Sequence, residues 1–253
     1  MGKNRWSENI FDFIARPLKM LGVALWRHPE TRRFYRAALK KCDLMFSAKI
    51  PQGEIEAIVG RAPSCLLENP TRKDGNLSLD AQYCIASLIR FLNPERIFEI
   101  GTFNGNTTLQ MAVNSKPDCK ICTLDLPSGK REGSGTKYSL AEDDKKYVGS
   151  PEIVFLGTPH EKKITRLFGD SAQFDFRPYY GQMDFIFIDG SHAYDYVKND
   201  TEQAFRMLGP KGMIVWDDYD ASWPEVIRYL DELALKEKIV WIRGTGLCLY
   251  ERP

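Results

Sequence analysis

The pattern of hydrophobic and polar positions changes character near residue 78. Before it, Ile10, Phe11, Phe13, Ile14, Leu18, Leu21 and Leu25 recur at threes and fours, a helical spacing broken near Pro17. Phe34, Tyr35, Ala38, Leu39 and Leu44 resume that spacing after His28-Pro29-Glu30. Residues 50–75 carry Pro51, Gly53, Pro63, Pro70 and Gly75, which predicts an irregular connection with one short helix at 54–59. Beyond it, apolar runs at 96–100, 120–125, 153–156, 183–189 and 212–216 alternate with helical stretches at 78–91, 107–114, 161–167, 193–208 and 223–236. Short runs separated by helices imply strands buried on both faces, hence a doubly wound, mostly parallel α/β sheet. The last runs, 239–243 and 247–251, are joined by Arg243-Gly244-Thr245-Gly246 and read as an antiparallel hairpin. The expected organisation is a helical extension over 1–74 followed by an α/β domain over 75–253.

Composition narrows the class. A chain of 253 residues, 43% hydrophobic and 27% charged, can bury one large core but has little room for two full domains. Its apolar runs fall far short of the roughly 20 residues that cross a bilayer. Asp12, Arg16 and Lys19 interrupt the first apolar segment, so a secretory signal is not expected. Six scattered cysteines fit a reducing compartment, and the Cys119–Cys122 pair has no second pair at zinc spacing. The expectation is a cytoplasmic protein.

The net charge of +1 conceals an asymmetry, because residues 1–49 hold eleven Lys/Arg against four Asp/Glu and the remainder is net acidic. A nucleic-acid binder would be basic throughout or carry a reading motif, so that class is set aside. A basic amphipathic arm suits an anionic membrane surface, or a cap or dimer element. The cap or dimer role is favoured, which makes a homo-oligomer the expectation.

In an open α/β sheet, ligands sit beyond the carboxyl ends of the strands. The run at 96–100 leaves as Phe98-Glu99-Ile100-Gly101-Thr102-Phe103-Asn104-Gly105-Asn106-Thr107-Thr108. Gly101 permits a tight turn, Gly105 lets the chain pass a bulky ligand, and the helix that follows offers free amides. The E-x-G-x-x-x-G spacing differs from the G-x-G-x-x-G of dinucleotide folds. Asp125 ends the next run, twenty-four residues after Gly101, where a carboxylate can accept from both hydroxyls of a ribose. Together these features point to a nucleoside site.

Over residues 75–253 the chain resembles the class I S-adenosylmethionine-dependent methyltransferases. Phe98–Thr108 is similar to their first motif and Asp125 to their ribose-binding acid, while Phe168-Gly169-Asp170-Ser171-Ala172 resembles the segment that flanks the adenine. The resemblance implies S-adenosyl-L-methionine as cofactor, held by Glu99, Gly101, Thr102, Asn104, Gly105, Asp125, Asp170, Ser171 and Asp189. It also implies a seven-stranded sheet with an antiparallel last strand.

Within that class the chain is most similar to the cation-dependent O-methyltransferases, on two strand ends. Phe187-Ile188-Asp189-Gly190-Ser191-His192 and Val215-Trp216-Asp217-Asp218-Tyr219 would bring Asp189, Asp217 and Asp218 to one rim. Three carboxylates repel one another unless a cation neutralises them, and oxygen ligands suit Mg²⁺, Mn²⁺ or Ca²⁺. Asp218 stands where the family pattern has Asn; otherwise Asp217 or Asp218 caps the next helix. His192 falls where relatives often place a catalytic lysine and is the best candidate base, working with Asp189. The long insertion after Asp125 reads as a lid or a plain surface loop, and Tyr179, Tyr180, Tyr219 and Trp223 as substrate-wall or core aromatics.

The implied activity is methyl transfer to the hydroxyl of a small molecule or sugar with help from Mg²⁺. The alternatives are a non-catalytic cofactor-binding or assembly protein on this fold, and a metal-free N-methyltransferase.

Overall fold

The computed structural model describes residues 49–60, 64–71, 75–127, 136–141, 144, 147 and 152–253. The helices expected before residue 49, and with them nearly all of the basic arm, lie outside the described residues. Residues from Lys49 onward form one compact unit, so the Pro/Gly-rich connection belongs to the same body as the sheet. Among the described residues no helix is long and apolar enough to cross a membrane.

The unit opens with β1 (Gln52–Gly53), α1 (Ile55–Val59), α2 (Leu79–Leu92), β2 (Arg96–Ile100), α3 (Asn106–Asn114) and β3 (Lys120–Asp125). It continues with β4 (Ile164–Phe168), β5 (Met183–Ile188), α4 (Tyr194–Met207), β6 (Leu208–Trp216), α5 (Pro224–Leu233), β7 (Ile239–Ile242) and β8 (Cys248–Glu251). The strands form one sheet in the order β1-β7-β8-β6-β5-β2-β3-β4. β8 lies between β6 and β7 and is antiparallel to both; every other pairing is parallel. The sheet therefore has eight strands where seven were expected, the addition being β1 alongside β7.

The alternation of each buried run sorts residues onto two cores. Ile97, Phe185, Phe187, Met213 and Val215 pack with Ala81, Ile85 and Leu88 of α2 and Met111 of α3. On the other face Phe98 meets Phe176 and Tyr179, and the Trp216 indole N–H donates to Thr201 Oγ1 of α4 at 2.8 Å. Ser78 caps α2 by accepting from the Ala81 N–H at 3.2 Å, a contact worth about 1 kcal/mol.

One expected pair of elements is corrected. The strand anticipated at 153–156 is a run of turns, and most of the helix anticipated at 161–167 is strand β4. Phe155 is buried against the turn at Gly105 instead of in a ladder. The segment Ile164-Thr165-Arg166-Leu167-Phe168 has β-branched residues at its start and suits the pleated edge beside β3.

α3 buries polar residues for a specific reason. Asn106, Gln110 and Asn114 lie one turn apart and grip the irregular segment 64–71. Gln110 exchanges two hydrogen bonds with the Glu68 backbone (3.0 and 2.7 Å) and Asn114 two with Leu66 (2.9 and 2.8 Å), while Asn106 donates to Asn69 O at 3.2 Å.

Register builds the functional rim. Ile100 lies beside Leu124 and Ile188, and Ile188 beside Trp216. The next residues of the four strands, Gly101, Asp125, Asp189 and Asp217, consequently emerge side by side.

Candidate active site

Gly101 adopts φ +99°, and a Cβ there would stand 1.8 Å from the Asp189 carbonyl oxygen. The first turn can therefore lie this close to the β5 end only with glycine. Beneath it Glu99 is fully buried, and its Oε2 accepts from Thr108 Oγ1 at 2.5 Å and Thr123 Oγ1 at 2.6 Å. Thr102 Oγ1 extends the chain to Thr123 Oγ1 at 2.6 Å. Glu99 Oε1 is buried without a partner. Burial pushes the carboxyl up to about 8 against the pull of the two threonine hydroxyls.

That direction gives a pH expectation. Unfolded, the group ionises near its ordinary value, whereas folded it keeps its proton to about pH 8, so wild-type stability falls as pH climbs between those points. In thermal melts of cofactor-free protein, the stability of Glu99→Gln relative to wild type should rise from pH 5 to pH 8. Parallel pH profiles would show that Glu99 is ionised in the fold.

The other residues of the first motif divide. Asn104 is buried and its Oδ1 accepts from the Asn106 N–H at 3.1 Å, so its side chain serves the turn. At Gly105, φ +75°, an added Cβ would stand 2.5 Å from the Phe155 ring. The room that the sequence assigned to a ligand is thus taken by a core aromatic. Asp125 holds its own strand end, accepting from the Leu126 N–H at 2.9 Å, and burial raises its carboxyl to about 6.

The segment after β4 also differs from expectation. Asp170 accepts from Lys137 N at 2.7 Å, Gln173 Nε2 at 2.6 Å, Ala172 N at 3.0 Å and Tyr196 OH at 2.9 Å. Burial would raise its carboxyl, and these donors outweigh it and hold it below the usual range. The Ser171 hydroxyl bonds Asp200 and its carbonyl accepts from Asn199 Nδ2 at 3.2 Å. Both side chains hold the loop together from within.

At the neighbouring strand ends, donor atoms of Asp189, His192 and Asp218 lie within 4.8 Å of one another. Asp217 stands next to this trio with its carboxylate toward the β7–β8 turn, where a Cβ on Gly246 would be 3.2 Å from Oδ1. Asp218 has φ +66°, a left-handed conformation that costs about 1–2 kcal/mol and turns its carboxylate to His192. The capping alternative does not hold, since the N-cap of α5 is Trp223 and the helix has no side-chain cap. Burial first, then the adjacent carboxylates, pushes Asp189 and Asp217 well above the usual range.

His192 lies between two carboxylates. Its Nε2 is 2.5 Å from Asp218 Oδ2, its Nδ1 is bonded to Asp144 Oδ1, and its ring stacks on Trp223 at 3.5 Å and 9°. Burial would lower the imidazole, but the bonds to Asp144 and Asp218 outweigh it and raise the ring to about 10. The neutral ring expected from sequence is therefore a charged one in this arrangement, because it serves as counter-ion to its neighbours. Asp144, from the insertion after β3, had no sequence signal: it is one acid among several in a polar stretch.

Of the four aromatics, Trp223 alone borders this cluster among the described residues. Tyr219 is buried and donates to Asp231 at 2.6 Å, Tyr179 packs edge-on to Phe98, and Tyr180 donates to Gln203 at 2.8 Å.

Both implied groups fit what is present. A cradle that admits only backbone at Gly101, above a buried carboxyl whose Oε1 has no partner, suits a ligand with a polar group of its own. The converging oxygen and nitrogen donors suit a divalent cation.

Residues 98–219 match a family model described as a methyltransferase domain. A candidate caffeoyl-CoA O-methyltransferase of Staphylococcus aureus is 20% identical over 70% of this chain and 85% of its own, with a TM-score of 0.52. An O-methyltransferase of Bacillus cereus, solved in complex with SAH, is 15% identical over 85% of this chain and all of its own, with a TM-score of 0.50. At such identities these likenesses show a shared fold. No curated protein matches the sequence. The matched segment contains the first turn, Asp125 and both acidic strand ends, and over it the chain is similar to methyltransferase domains.

Proposed function

We propose that this domain transfers a methyl group from S-adenosylmethionine to a hydroxyl oxygen of a small molecule or sugar, with a divalent cation in the site. The observation that supports it most is the register that brings the Gly101 turn and Asp125 beside the Asp189–His192–Asp218 cluster. A cofactor cradle and a proton-handling group then share one rim. Bound there, the cofactor supplies an electrophilic methyl on a sulfonium. The Asp125 carboxylate would receive its donors, and Glu99 Oε1 would face its polar groups.

Asp189 and Asp218 would hold the cation, with Asp217 beside them, and its chemistry is to polarise the acceptor hydroxyl. His192 Nε2 takes the hydroxyl proton. It becomes a base only on parting from Asp218, the carboxylate that here holds its second proton. The rest of catalysis is positioning and exclusion of water.

Calorimetry with S-adenosylmethionine should show binding to wild type and affinity about 10–100-fold lower for Asp125→Ala, the loss of charge-assisted bonds to a ribose. Labelled cofactor should then transfer its methyl to at least one of a panel of phenols, catechols and monosaccharides. Chelator should suppress that transfer, and Mg²⁺ or Mn²⁺ should restore it. Binding without transfer to any hydroxyl would sink the oxygen assignment, and full turnover in excess chelator would remove the cation.

A further inference from the structure

We propose that Asp144 is the positioning residue that sets His192 for proton transfer, and that the insertion after β3 reaches the site through it. The inference rests on the methyl-transfer reading above. Asp144 is only 6% exposed, unusual for an acid in a polar insertion, and its surroundings explain why. Its Oδ2 accepts from Ser191 Oγ at 2.6 Å, from the His192 backbone N–H at 3.1 Å and from the Ala141 N–H at 3.2 Å. Its Oδ1 meets Nδ1 of the His192 ring. One carboxylate therefore grips the backbone and the side chain of the same histidine, and ties both to the turn at Ala141.

The stack on Trp223 limits rotation of the ring, and Asp218 at Nε2 is the contact that is released before that nitrogen takes a proton. A carboxylate at Nδ1 keeps the proton on that nitrogen, so Nε2 is the nitrogen that exchanges protons with the rim. In the transfer step the acceptor oxygen bonds the methyl carbon, the carbon–sulfur bond breaks and its pair remains on sulfur as a thioether. The hydroxyl proton moves to the Nε2 lone pair, and the positive charge passes from sulfonium to imidazolium. Without Asp144 the ring can take the other tautomer or rotate from the rim, and fewer molecules present Nε2.

The full chain tests this by two routes. In proton NMR with ¹⁵N-labelled histidine, wild type should show a hydrogen-bonded, strongly downfield Nδ1–H from His192, assigned by its loss in His192→Ala and absent in Asp144→Ala. In turnover, with whichever of catechol or a monosaccharide is the better acceptor, Asp144→Ala should lower kcat about 10²-fold, within the range for loss of the base itself. The KM and affinity for S-adenosylmethionine should stay within about twofold. Added formate should restore part of kcat to Asp144→Ala and none to His192→Ala. Adding Asp144→Ala to His192→Ala should cost little more, because the first acts through the second. Asp144→Asn, which keeps the shape, guards against a folding defect and should lie between wild type and Asp144→Ala. An Nδ1–H signal unchanged in Asp144→Ala, undiminished kcat, or fully additive losses would overturn the proposal. A wild type that transfers to no acceptor while its Nδ1–H is lost in Asp144→Ala overturns the functional reading and shows separately that Asp144 holds the ring.

Discussion

Gly101→Ala should collapse the rim, lowering the melting temperature by about 10 °C and abolishing measurable S-adenosylmethionine binding. The new Cβ would meet the Asp189 carbonyl oxygen at 1.8 Å and its carbon at 2.5 Å, both backbone atoms of the adjacent strand end. No rotamer change relieves that overlap. β2 and β5 would have to part where Asp189 N–H donates to Ile100 O at 2.8 Å, and the Gly101 N–H bond to Leu124 O at 2.8 Å would go with it. With φ at +99° the side chain adds its own strain. Together these place the cost at about 3–5 kcal/mol, which in a unit of this size is roughly 10 °C. Gly244 is the control, since it also has positive φ, +79°, but nothing within 4 Å of an added Cβ. Gly244→Ala should lose only about 1 kcal/mol. Thermal denaturation and calorimetry of both variants decide: a Gly101→Ala protein that melts with wild type and binds cofactor contradicts the close approach.

Turnover should fall about 10²–10⁴-fold in His192→Ala, the usual contribution of a positioned base, with cofactor affinity within about twofold of wild type. Binding should be spared because, among the described residues, the ring is bonded to Asp144 and Asp218 and stacked on Trp223, none of which belongs to the Gly101 turn or to Asp125. The pH dependence has a definite sign. Asp144 stays on the ring when Asp218 is released to the cation and still favours its charged form, so the base form grows as pH rises and the wild-type rate should climb toward the alkaline side. In His192→Ala that limb should disappear, leaving a rate that is low at every pH. An unchanged pH–rate profile at wild-type speed would make His192 a counter-ion alone.

Much of this site was legible along the chain because it depends on local periodicity. The runs at 96–100 and 120–125 are β2 and β3 to the residue, since each is a short apolar stretch bounded by turn formers. Once parallel pairing is inferred, the residues leaving each strand must share one edge, which is why Gly101, Asp125, Asp189 and Asp217 could be named together. The reading failed where an apolar run had another use. Residues 153–156 looked like a strand, but Phe155 fills the space over Gly105. Edge strand β4, half-exposed and without a clean alternation, was taken for a helix because a five-residue segment carries too few periods to separate the two spacings.

The amino-acid sequence by itself determined the sheet, its carboxyl rim and the acids that line it, because burial on two faces and strand-end position follow from the order of apolar and polar residues. What only the tertiary structure decided is which atoms face one another across that rim. Asp144 lies forty-eight residues before His192 and in no periodic pattern, yet the two are bonded. Asp217 and Asp218 are chain neighbours, but the left-handed turn at Asp218 sends one carboxylate to the β7–β8 turn and the other to the histidine. Asp170 and Ser171 fit a ligand motif and also bind within the protein, Asp170 to its own loop and Ser171 to Asp200. Hydrogen-bond partners over such separations are set by packing and backbone dihedrals, which a pattern of residue types does not encode.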